Sequence, residues 1–168
     1  MKTRLKNSVI AGLLGVSMML SPLANAALSE QQVRNFYDQL LKQVHAEDDR
    51  FFDSFQPDAE IHFSVPASWA LGASGNVTLE EYKYLLEEAW NNTENYDFFV
   101  DALQISKEGN TFRVSADLME RYTLQGQIIS TTNRLEVKVV EVDGKPKIAV
   151  YRSNIRDAET APKDPTAN

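Results

Sequence analysis

Cysteine is absent from all 168 residues, which removes thiol catalysis, disulfides, iron–sulfur clusters and cysteine-based zinc sites together. Histidine is nearly absent: His45 and His62 are the only two, too few for a histidine-rich centre, and no metal is expected. Glycine and proline number 7 and 6, which leaves no room for a fibrous or low-complexity chain. Positive charge is also short. Lys and Arg total 17 against 24 Asp and Glu, a net charge of −7, so nucleic acid is not an expected partner. No dinucleotide fingerprint, phosphate loop or nucleophile elbow occurs, and no cofactor is expected.

Long apolar runs are missing too. The longest, Val9 to Leu20, is short of the ~20 residues that cross a bilayer as a helix. It follows Lys2, Arg4 and Lys6 and is broken by Pro22, and Ala24-Asn25-Ala26 supplies the small-x-small cleavage pattern. These three features are those of a bacterial signal peptide over residues 1–26, cleaved after Ala26. The expected location is the periplasm or outside the cell. With no cysteine at the junction, a lipid anchor is excluded. Cleavage removes three positive charges and no negative one, so the mature chain becomes more acidic than −7. No association with anionic membrane is expected after cleavage.

Residues 27–156 suit a single domain in length. Ser29 and Gln32 form a capping-box pattern, and Val33, Phe36, Tyr37, Leu40, Leu41 and Val44 then fall on one helical face. A short second helix is expected over 47–55, and a strand over 59–65 with Ile61, Phe63 and Val65 inward. A long loop to Val77 carries Trp69. Thr78 and Glu81 cap a third helix running to about Trp90, with Leu79, Tyr82, Leu85, Leu86 and Ala89 as its apolar face. Four strands follow: 96–106, 111–124, 127–142 and 147–156. Their turns are Glu108-Gly109-Asn110, Gln125-Gly126 and Asp143-Gly144. Residues 157–168 hold two prolines and no large apolar side chain, so a disordered tail is expected there. Helices segregated from an antiparallel sheet make an α+β fold, with a curved sheet wrapped on three helices and a conical pocket between.

This order of elements resembles the nuclear transport factor 2-like superfamily, which includes SnoaL-like proteins and ketosteroid isomerases. The resemblance covers essentially all of Leu28 to Arg156. It rests on that order and on local stretches: His45 to Asp49 after the first helix, Phe52 to Ile61, Gly75 before a capped helix, and the hairpin from Asp143 to Val150. The superfamily holds enzymes, ligand carriers and interaction or immunity subunits, so fold alone does not fix function. Against the isomerase pattern, Phe63 stands at or beside the general-base Asp and Asn133 where an oxyanion-hole Asp lies. Tyr37 lies near the oxyanion-hole Tyr but out of register. The Tyr/His/Asp pattern of dehydratases finds no match. The resemblance also implies a homodimer through the outer sheet face, here carrying Arg113, Ser115, Asp117, Met119 and Arg121.

Alternation selects the remaining candidates. On the strand 111–124, Glu120 and Tyr122 continue the apolar face of Phe112 to Leu118, so Glu120 is either a desolvated proton acceptor or a group left wet or paired with Arg152. Asn133 continues the face of Leu135 to Val139, and Arg152 shares parity with Ile148 and Val150. His62 alternates out of the core, which weakens it as a base. The candidate ligand-binding set is Tyr37, Trp69, Glu120, Tyr122, Asn133 and Arg152, and Glu120 and His62 are the candidate catalytic residues. The expected function is an exported pocket protein for a small, partly apolar ligand or envelope partner. A cofactor-free lyase or isomerase and an interaction or immunity subunit are the alternatives.

Overall fold

The computed structural model describes residues 28–65 and 74–162. Helix α1 spans Glu30–His45, opened by the reciprocal capping box of Ser29 and Gln32. A 3-10 turn, Asp49–Ser54, leads into strand β1, Phe55–Ser64. Asp48 caps that turn and holds Arg50, and the hydrogen bonds from Arg50 keep its carboxyl below the usual range. Strand β2, Gly75–Val77, occupies the end of the segment expected to be loop. Helix α2, Leu79–Asn92, starts at the capping box of Thr78 and Glu81. Strands β3 (Thr93–Glu108), β4 (Thr111–Leu124), β5 (Gln127–Val142) and β6 (Lys145–Pro162) complete the chain.

The six strands lie in the order β2-β1-β6-β5-β4-β3. Four pairings are antiparallel, while β1 joins β6 in parallel, so the sheet is mixed. Such a parallel join requires a long crossover. All the helices and strands between β1 and β6 form it. Of the three two-residue hairpins, Gln125-Gly126 and Asp143-Gly144 put two consecutive residues in the left-handed region, as a type I′ turn demands.

Helix α1 packs on β3 and β6, and α2 on β1 and β3. Their apolar faces meet the inner face of the sheet in one core containing Val33, Tyr37, Phe52, Ile61, Tyr82, Val114, Leu135 and Ile148. Trp90 belongs to this core, tilted against Phe52 at 6.0 Å between ring centroids. Leu85, expected inward, is instead exposed beside Tyr84.

Two differences from expectation concern β6. It continues through Asp157–Pro162, paired with Gln127–Thr132 of β5, so these residues form a strand rather than a disordered tail. The reason is the partner: β5 offers an unpaired backbone edge, and ladder hydrogen bonds need no apolar side chains. Residues 163–168 lie outside the described residues, as do 1–27. The second difference is a bulge at Ala149, which reverses the faces of everything after it until a further irregularity beside Arg156.

Candidate functional site

Tyr37, Leu40, Leu41 and Val44 recur at helical spacing, so α1 turns all four toward the sheet. Between this stripe and the inner sheet face lies a cavity of about 220 Å³. Aromatic and aliphatic side chains form nearly all of its wall, among them Phe63, Tyr82, Tyr96, Phe98, Leu118 and Tyr151. Among the described residues one carboxylate, Glu120, reaches it, and no Lys, Arg or His lines it.

Glu120 is half-buried and engaged on both oxygens. Its Oε1 accepts a hydrogen bond from the Tyr96 hydroxyl at 2.8 Å, and its Oε2 accepts one from Thr131 Oγ1 at 3.0 Å. Thr131 is placed for this by register, being the residue directly opposite Glu120 on β5. Tyr96 is placed by a bulge: β3 slips by one residue between Glu94 and Asp97, with Asn95 in the left-handed region. Asparagine tolerates that conformation better than most side chains.

Deeper in the wall, Ser153 Oγ donates to Asn133 Oδ1 at 3.1 Å, and both residues are buried. The hydroxyls of Tyr82 and Tyr151 bond to each other. Tyr37 contributes its ring to the cavity, while its hydroxyl is buried without a partner.

Burial pushes the hydroxyls of Tyr37, Tyr82 and Tyr96 well above the usual tyrosine range. Neighbouring Tyr151 adds to the first two, and the Glu120 charge adds to the third. Burial likewise raises Tyr151 to about 12, opposed by its bond from Tyr82. Tyr122 is raised to about 12 by burial and by Glu120. All five are therefore neutral hydrogen-bonding groups around pH 7, not phenolate bases.

The sequence-derived residues divide accordingly. Tyr37, Glu120 and Asn133 meet at the cavity. Tyr122 lines a second cavity of about 260 Å³ beneath α2, with Trp90 and Leu86, and the Tyr96–Glu120 pair borders both. Arg152 is a correction. The Ala149 bulge turns it to the outer face, where it lies 3.9 Å from Glu60 and borders a shallow groove with Glu136 and Lys138. The same bulge brings Tyr151 and Ser153 inward, two wall residues that strict alternation misses. His62 also sits on that outer face, its Nδ1 3.0 Å from Asn76 Oδ1, with Arg152 as its neighbour on β6. Trp69 lies outside the described residues.

A half-open mixed sheet covered on one face by helices, with a cavity between the two layers, is the nuclear transport factor 2-like or cystatin-like fold. Solved structures agree. The scytalone dehydratase-like protein of Novosphingobium aromaticivorans superposes with a TM-score of 0.62 at 12% identity, over 82% of this chain and 93% of that one. A hexachlorocyclohexane dehydrochlorinase of Novosphingobium barchaimii gives 0.63 at 14% identity, over 78% and 88%. A nuclear transport factor 2-like protein of Cytophaga hutchinsonii gives 0.59 at 14%, over 77% and 100%. No protein-family model and no curated protein matches the sequence.

Proposed function

We propose that the protein is a binding protein, not a catalyst, for a small and predominantly apolar organic molecule held between α1 and the sheet. The observation that carries this is the cavity itself, an apolar space of about 220 Å³ with a single carboxylate in its wall. A dry apolar cavity of ~150 Å³ holds benzene, so this one suits a substituted ring or small bicycle. Glu120 is engaged by Tyr96 and Thr131, and Asn133 by Ser153, rather than poised for proton transfer. By the resemblance Phe63 stands at or beside the place of the isomerase base, and His62 and Arg152 face the other way. Export supports the same role, on the strength of the N-terminal segment ending at Ala26, because a periplasmic or secreted carrier meets small molecules before the cytoplasm does.

Thermal-shift and calorimetric titration with a panel of small aromatics tests the proposal. Wild-type protein is expected to be stabilised by at least one member of the panel. Val44→Phe, which pushes a ring from α1 into the cavity, should abolish that stabilisation while leaving the fold intact. Equal binding by Val44→Phe, or no binding by the wild type, overturns the proposal.

A cofactor-free lyase or isomerase is the second reading, with Glu120 as proton acceptor and Asn133 beside a developing oxyanion. The names of two structural neighbours, a dehydratase-like protein and a dehydrochlorinase, support it. Elimination from cyclic alcohols or chlorides that is lost in a folded Glu120→Gln variant would establish it. We also propose that the protein is a homodimer joined through its outer sheet face.

A further inference from the structure

We infer that the cavity selects an organic cation: a small amine or quaternary ammonium on an apolar body, its charge seated at Glu120. The inference rests on the cavity being a binding site and adds the charge of the ligand. Glu120 lies at the junction of the two cavities, the one under α1 and the one under α2. Its oxygens accept only neutral hydroxyl hydrogen bonds, from Tyr96 and Thr131, and it forms no ion pair among the described residues. Each carboxylate oxygen retains acceptor capacity beyond the single bond it makes. The nearby cations do not answer it. Arg121 and Arg156 border a groove that Glu120 also reaches, but neither forms an ion pair with it, and Arg156 is directed to Asp117 at 3.7 Å.

The surroundings of the carboxylate favour a cation from a second direction. The Tyr96 ring stands 6.0 Å from Phe98 and 6.3 Å from Tyr122, centroid to centroid. Three aromatic rings thus lie close together beside one carboxylate, two of them in the cavity wall, and aromatic rings attract ammonium groups. An anionic ligand would meet the reverse. With no Lys, Arg or His in the wall among the described residues, its charge would be buried against Glu120 without compensation. A neutral ligand fits the apolar space but leaves the carboxylate without a charged partner.

Three probes of matched shape separate these cases: 2-phenylethylamine, 2-phenylethanol and 3-phenylpropionate, titrated calorimetrically into the processed protein. The amine is expected to bind at least about tenfold more tightly than the alcohol, a difference typical of a partly desolvated ion pair with ring contacts. The carboxylate should not bind. Raising salt from about 50 to about 500 mM should weaken the amine and leave the alcohol unchanged. Glu120→Gln should bring the amine to the affinity of the alcohol. If alcohol and amine bind alike, or if Glu120→Gln leaves the amine's advantage intact, the cation inference fails and the apolar pocket stands. If none of the three binds, the pocket reading itself falls with it. The wild-type comparison of amine with alcohol holds whether or not the variant folds.

Discussion

Tyr37 buries a hydroxyl that finds no partner among the described residues, in the middle of the helix face that carries the cavity. Leaving such a group unsatisfied costs roughly 1–3 kcal/mol. Tyr37→Phe is therefore expected to stabilise the protein by about 1 kcal/mol, a rise of a few degrees in Tm, read by thermal denaturation. The tyrosines also set an alkaline limit. Tyr37, Tyr82, Tyr96, Tyr122 and Tyr151 all keep their protons to higher pH when folded than the usual value near 10. An unfolded chain releases those protons first, so their contribution is intact below pH 10 and is lost as pH rises through the folded values. Stability should be level to about pH 9 and fall between about 10 and 12, with buried Tyr151 alone approaching ~1.4 kcal/mol per pH unit. Urea denaturation at stepped pH checks this. A flat profile to pH 11 would contradict it. Alternation found Glu120 and Asn133 because β4 and β5 pair without slippage from Phe112 to Leu124. It lost Arg152 because parity is a running count, and one inserted residue inverts the rest of the strand.

That inserted residue belongs to the scale of elements. Ile148 and Tyr151 are spaced by three, so both can face inward only if the strand slips once between them. An apolar pair at odd spacing is the trace a bulge leaves in sequence, visible here once the partner strand is known. Deleting Ala149 should leave Ile148, Val150, Tyr151 and Arg152 in plain alternation on the same partners of β5, with Tyr151 still inward and Arg152 still outward. A cooperative unfolding transition is expected to survive, and its loss would show that the extra residue is needed for the bend of the strand. The helices were legible for a different reason: their ends are written locally. Thr78 donates to and accepts from Glu81, satisfying backbone groups that α2 cannot satisfy internally. Thr78→Ala should cost about 1 kcal/mol, and Thr78→Ser should recover most of it in chemical denaturation. Strand ends behave otherwise. β6 runs on to Pro162 because β5 is there to pair with, a fact no residue of 157–162 announces.

For the whole molecule, the outer face of the sheet decides what else the protein meets. Phe99 lies directly opposite Met119 across β3 and β4, and the two are 60% and 52% exposed, an apolar pair on a face otherwise polar. Around it the charges are paired: Arg134 and Arg156 both reach Asp117, and Arg113 reaches Glu108. A strongly acidic protein repels its own copies in general, but a partly apolar patch ringed by ion pairs is where two copies can meet with least opposition. A two-fold axis through this patch would set Phe99 and Met119 of one protomer against the same pair of its partner, a self-complementary contact. Only two large apolar residues mark this patch, so a dimer formed there should dissociate on dilution rather than be permanent. Light scattering on the processed protein is expected to give twice the monomer mass at micromolar concentration. Met119→Glu, which places two like charges at the axis, should give the monomer with an unchanged circular-dichroism spectrum. Intact mass on the same preparation tests export, since the processed chain should lack Met1 to Ala26. A wild-type monomer at that concentration, or a Met119→Glu dimer, would move the interface elsewhere or remove it, and the cavity on the opposite face would function in a single chain.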